Sequence, residues 1–312
     1  MGRIVPGYPT PEPKVIRTVD DTGKKAITLN VPQGIGDIFW VYQKFSPYFD
    51  MIHFNILVTS EDAVQVRAAR WLDVLPKCGN IKLQHTEFHR YTHVIDGVYR
   101  LQDILNAYEA GQREFDYACN KPLENGVRLD EIDPGYEIET GVPIEPHECP
   151  LCFDEFVCGY VSGGTKDLGA IHAGCWTINR WCEFFMRLYK VFQPGVPLIL
   201  IGASYDQDVL TQISGHLGRH GINNGYYIDS YPANVCYILK KAKCFIGYQS
   251  GLNILADNFD TKQVMLYFHK LSPMLYTWCK KENIKKKFFA HTFAYTPYEI
   301  INMLKAEQFT MT

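Results

Sequence analysis

Four turns in this sequence gather residues that can do chemistry, and each sits where an apolar run hands over to an amphipathic one. The first is "QGIGDIF", Gln33 to Phe39. Gly34 and Gly36 let the backbone come close to a ligand and bare amide groups at a helix start. Asp37 follows at once. A carboxylate there is held ionised by the positive end of the helix and can accept a proton, or it can simply cap the helix. The second turn is "IHAGCWTINRWCEFF". It offers the Thr177 hydroxyl, the Asn179 amide and the Arg180 guanidinium at the next helix start, a set that suits a phosphate or diphosphate. An ordinary cap with a solvent-facing arginine is the other reading.

The third turn, "LIGASYDQDV", has small residues at Gly202, Ala203 and Ser204. They either admit a ligand to the backbone or make a tight turn. The fourth, "FIGYQSGLNILA", carries Gln249, Ser250 and Gly251 ahead of a helix that includes Asn253. Its amides and the Ser250 hydroxyl can cradle a phosphate, and Ser250 can cap the helix as well. Asp229, closing "YYID", either reaches ribose hydroxyls or caps the helix that follows. Apart from these turns stands "HECPLCFDEFVC". His147, Cys149, Cys152 and Cys158 bring four soft ligands into a dozen residues, and Cys-x-x-Cys is zinc-like spacing. No second, separated pair accompanies it. A loop of reduced thiols is the plainer reading, and a structural metal the alternative.

These turns need a scaffold, and its pattern is legible. Apolar strands are expected at 26–30, 52–60, 80–85, 115–120, 170–174, 196–202, 225–230, 243–248 and 262–268. Helices are expected at 61–75, 100–111, 180–192, 206–221, 232–242, 251–259 and 296–308. Thr296 caps the last of these, with Pro297 at its first position. Such alternation specifies parallel sheets covered by helices. In sheets of that kind ligands bind outside the carboxyl ends of the strands, where all four turns fall. Residues 1–24 read as a loose arm. The stretch from 121 to 165 is rich in Pro, Gly and acid and reads as connection. The expected division is an arm at 1–24, an acceptor domain at 25–160, a nucleotide-sugar domain at 161–295, and a final helix at 296–312 packing back on the first domain.

Composition removes several classes. Of 312 residues, 46% are hydrophobic and 21% charged, with a formal net charge of −3, so no global basic field draws the chain to nucleic acid. The one dense basic run, "KKENIKKKFF" from Lys280 to Phe289, is expected as a solvated face. No apolar run reaches the roughly 18 residues of a membrane span. Ten cysteines without a signal-peptide layout imply reduced thiols and a cytoplasmic setting.

The order and spacing of the turns resemble glycosyltransferase family 9, the lipopolysaccharide heptosyltransferases. Gly36 and Asp37 match that family's "GD" after its first strand. Asn179 to Trp181, "NRW", match its "KRW" in part, and Gln249 to Gly251, "QSG", match its "DSG" in part. The resemblance implies an α/β fold of the GT-B type, two doubly wound Rossmann-like domains facing a cleft. It implies sugar transfer from a nucleotide diphosphate-sugar to an acceptor hydroxyl, with no metal or other cofactor required. Asp37 inherits the role of general base. Gly36, Thr177, Asn179, Arg180, Gly202, Asp229, Gln249, Ser250, Gly251 and Asn253 are the donor-binding set. The acceptor is left open among a saccharide, a protein and a modified nucleic-acid base. Asn179 and Gln249 replace a charged lysine and a charged acid of the family pattern. A nucleotide-sugar binder without turnover, and a metal-linked interaction protein using the cysteine cluster, are the competing readings.

Overall fold

The computed structural model describes residues 3–4, 25–32, 36, 39, 52–60, 80–85, 99–100, 151, 153–162, 176–192, 195–228, 232–248, 250–267, 283, 286–292 and 294–310. The chain divides into two units, one of Met1–Thr10 with Pro146–Thr312 and one of Pro11–Glu145. The helices expected at 61–75 and 100–111 and the strands expected at 115–120 and 170–174 lie outside the described residues, except that Arg100 belongs to a strand.

The smaller unit carries a four-stranded parallel sheet. Its strands are β2 (Lys25–Pro32), β3 (Ile52–Ser60), β4 (Asn80–His85) and β5 (Tyr99–Arg100), in the order β4-β3-β2-β5. Leu29 pairs with Ile56 on one side and with Tyr99 on the other. The chain thus adds strands to one side of β2 and then crosses to the opposite side.

The larger unit repeats that plan and extends it. Its strands are β1 (Arg3–Ile4), β6 (Val157–Tyr160), β7 (Leu198–Gly202), β8 (Asn224–Ile228), β9 (Cys244–Tyr248), β10 (Lys262–Tyr267) and β11 (Lys287–His291). All pairings are parallel, in the order β1-β8-β7-β6-β9-β10-β11. From β6 onward this is the 3-2-1-4-5-6 order of a dinucleotide-type sheet, with its reversal between β6 and β9. Arg3–Ile4, within the expected arm, pairs with Gly225 and Tyr226 at the β8 edge.

Among the described residues five helices cover the sheet: α1 (Ile178–Phe192), α2 (Gln207–Arg219), α3 (Pro232–Lys241), α4 (Gly251–Asn258) and α5 (Pro297–Ala306). Right-handed crossovers place α1 and α2 on one face and α3 and α4 on the other. The helix contacts agree, with α1 against α2 and α5, and α3 against α4. The stripe Trp181, Cys182, Phe184, Phe185 and Leu188 is the buried face of α1. Leu198 to Ile201 are buried at every position, as a strand covered on both faces must be. α2 ends in a Schellman turn: the Ile222 N–H donates to Leu217 O and the Gly221 N–H to Gly218 O, with Gly221 at φ +76°. At α5 the Glu299 N–H donates to Thr296 Oγ1 at 3.3 Å and the Thr296 N–H to Glu299 Oε2 at 2.7 Å, a full capping box. Among the described residues no helix is long and apolar enough to cross a membrane.

Three expectations need correction. Residues 157–160 fall in the stretch read as connection, and before the expected boundary at 160. They form β6, paired with both β7 and β9 of the larger unit's sheet. The four-residue strand "VCGY" is too short to stand out from the cysteine-rich stretch before it. The run from Lys280 to Phe289 is not simply a solvated face. Lys287 is buried and opens β11, its ammonium 2.7 Å from Asp257 Oδ1. The last helix, expected to pack back on the first domain, buries Ile300, Ile301 and Leu304 in the larger unit's core instead.

Close packing fixes two glycines beside the reversal. A Cβ on Gly247 would lie 2.9 Å from Tyr160 O, and one on Gly159 would lie 2.8 Å from Leu200 Cδ2. Gly247→Ala is expected to destabilise the protein by about 1–3 kcal/mol in chemical denaturation, because backbone cannot yield to it. Lys287→Met leaves Asp257 buried without its cation and is expected to cost about 3–5 kcal/mol by the same measurement.

Candidate functional site

The reversal between β6 and β9 brings two loops to the carboxyl ends of adjacent strands. Beyond Ser162 the described chain resumes at Trp176, one residue before the α1 N-cap. The Trp176 N–H donates to the hydroxyl of Tyr248, the last residue of β9. This bond ties the start of α1 to the strand that feeds α4. Aromatic packing supports it: the Trp181 ring sits 5.1 Å from Trp176, 5.2 Å from Tyr248 and 5.4 Å from Phe185.

At α1 the Thr177 hydroxyl accepts the Arg180 N–H at 3.4 Å, and Thr177 O accepts the Trp181 N–H at 3.1 Å. Thr177 is therefore an N-cap. Thr177, Asn179 and Arg180 are all exposed. At α4 the Ser250 N–H donates to Asn253 Oδ1 at 2.8 Å, and the Ser250 hydroxyl donates to the same oxygen at 3.3 Å. Asn253 is fully buried and passes its Nδ2 to Gln263 Oε1 at 3.2 Å. Gly251, half-buried, begins the helix.

Electrostatics separates these two helix starts, and that of α3, from those of α2 and α5. Neither α1 nor α4 has an acid in its first turn, whereas α2 carries Asp208 and α5 carries Glu299 there. The partial positive charge of an acid-free start is not offset by its own first turn, and Arg180 adds a full charge to that of α1.

At the end of β7 the structure selects the tight turn. The Ala203 N–H donates to Asp206 Oδ2 at 2.9 Å. A Cβ on Gly202 would lie 2.9 Å from that oxygen and 2.8 Å from Leu210 Cδ1. The space at Gly202 is thus filled by the chain's own side chains. Gly36 and Phe39 are helical and follow β2, the strand that corresponds in the smaller unit to β6 in the larger. Asp37, Asp229 and Gln249 lie outside the described residues.

Of the cysteine cluster, His147, Cys149 and Cys152 also lie outside them. Cys158 sits inside the central strand, fully buried. Burial, with a smaller effect of neighbouring Cys244, pushes its thiol far up, so it packs as a neutral, apolar group. Cys236 and Cys244 behave likewise, each pushed up by burial to about 12. Sequence reasoning missed Trp176, Tyr248 and Gln263. Trp176 and Tyr248 lie 72 residues apart, and no local spacing signals their bond.

No family model and no curated protein matches the sequence. Solved structures do match the fold. The E. coli ADP-heptose lipopolysaccharide heptosyltransferase II superposes with a TM-score of 0.54 at 13% identity, over 91% of this chain and 98% of that one. A glycosyl transferase family 9 protein from Veillonella parvula gives 0.54 at 12% identity, over 90% and 89%. The E. coli heptosyltransferase WaaC with ADP gives 0.51 at 11% identity, over 90% and 99%. At such identities the likeness is one of fold, and the chain has the α/β fold of these GT-B glycosyltransferases.

Proposed function

We propose that this protein is a glycosyltransferase that moves a sugar from a nucleotide diphosphate-sugar to an acceptor hydroxyl. The observation that carries the reading is the pair of acid-free helix starts at the sheet's reversal, α1 with Thr177 and Arg180 and α4 with Ser250. The fold supports it, because proteins that share the fold include one solved with ADP and one named for ADP-heptose.

In this reading Asp37 takes the proton of the acceptor hydroxyl. The acceptor oxygen bonds to the anomeric carbon while the bond from that carbon to the diphosphate oxygen breaks. The electron pair leaves with the diphosphate. Its growing charge is met by the first-turn amides of α1 and α4 and by the Arg180 guanidinium, fixed dipoles that need no rearrangement as the bond breaks. Asn179 hydrogen-bonds the diphosphate without adding charge, which leaves Arg180 as the cation of this turn.

A thermal-shift series with ADP, UDP and GDP and their sugars tests the reading. The matching nucleotide at about 100 times its Kd is expected to stabilise the protein by about 2.7 kcal/mol. Arg180→Ala is expected to weaken that nucleotide about tenfold, the loss of one charge-assisted hydrogen bond. Asp37→Asn is expected to lower kcat by about 10²–10⁴ while leaving nucleotide affinity in place. If no nucleotide diphosphate stabilises the protein, the reading fails. Nucleotide binding with turnover indifferent to Asp37→Asn removes the base.

A further inference from the structure

Helix α4 is two turns long and is buried from Asn253 through Asn258. A helix enclosed on every side has no single apolar stripe to fix its rotation about its own axis. Two polar side chains break that symmetry. Asn253 and Asp257 stand four residues apart and so share one face. Asn253 Nδ2 donates to Gln263 Oε1 of β10 at 3.2 Å. Asp257 Oδ1 faces Lys287 Nζ of β11 at 2.7 Å, and both side chains are at most 1% exposed. Asn283 completes the far end. Its Nδ2 donates to Asp257 O at 3.0 Å and to Asp260 Oδ1 at 2.8 Å. Asp260 closes the helix in the left-handed region at φ +59°.

Neither contact is the choice that stability alone would favour. Replacing a buried ion pair by packed apolar groups is often neutral or stabilising. The Gln263 amide makes its bond to Asn253 while its own Nε2, buried, finds no hydrogen-bond partner among the described residues. Such an orphan donor carries a desolvation cost. What these groups provide is direction: each is satisfied at one rotation of α4 and broken at others.

We propose that Gln263 and the Lys287–Asp257 pair are positioning residues, setting the rotation of α4 and so the direction in which its first-turn amides and Ser250 face an anionic group. The inference rests on the donor-site reading for the identity of the anion, a nucleotide diphosphate. The rotation itself is measurable without any ligand.

The experiment compares amide hydrogen exchange of the full chain with that of Asp257→Leu/Lys287→Met and of Gln263→Met. Both variants are expected to melt within about 5 °C of the parent. In both, the amides of Gly251, Leu252 and Asn253 are expected to exchange about tenfold faster, with α1 and α2 unchanged. Should the double variant fail to fold, Gln263→Met decides alone. Parent-like exchange in the first turn of α4 overturns the proposal. So does a rise spread evenly over the whole unit, which is the mark of a merely structural role. ADP and UDP titrations run alongside. Loss of affinity in the folded variants, without loss of melting temperature, supports the proposal. Absence of any nucleotide binding by the parent chain overturns the donor-site reading, and exchange still decides the rotation.

Discussion

Strand β6 has four residues and neighbours on both edges, and the larger unit depends on how tightly it is held. Gly159 leaves room for Leu200 and Phe185, and Gly247 on the next strand lets β9 come up against the Tyr160 carbonyl. Because β6 lies between β7 and β9, the chain must build outward in one direction, cross over, and build outward in the other. That single reversal sets adjacent strands feeding helices on opposite faces. It creates the only kind of place in such a sheet where two helix starts flank one crevice.

Charge placement then separates one helix start from another. Every helix exposes unpaired amides at its beginning, and an acid in the first turn is one way to offset their charge. This chain does so at α2 and α5, where Asp208 and Glu299 stand in the first turn. It does not do so at α3, nor at α1 and α4, and these last two are the ones that start at the reversal. The link from Trp176 to Tyr248 ties the start of α1 to the strand that feeds α4, and the aromatic group around Trp181 packs against it.

Much of this was legible in the sequence, for local reasons. Strands at 52–60 and 80–85 show as apolar runs between polar breaks, and the structure has both at those bounds. The start of α5 carries its own signature in Thr296, Pro297 and Glu299. The helix starts at Thr177 and Ser250 were equally visible, since capping is a matter of neighbours along the chain. What escaped is what depends on distant partners. Residues 157–160 look like linker until β7 and β9 arrive on either side. Lys287 looks like one more surface lysine in a basic run, and Asp257, thirty positions earlier, meets its charge in the core. Gly202 reads equally as room for a ligand or as a tight turn, and what Asp206 and Leu210 place against it cannot be seen from its neighbours along the chain.

The two-residue strand Arg3–Ile4 has a consequence for handling the molecule. It occupies the outer edge of β8 beside Gly225 and Tyr226. Stripped of it, that margin would present a row of bare amide and carbonyl groups, a template on which a stranger's strand can be laid. Trimming the chain ahead of the smaller unit would therefore be felt far away in sequence, as self-association through the rim of the larger unit's sheet.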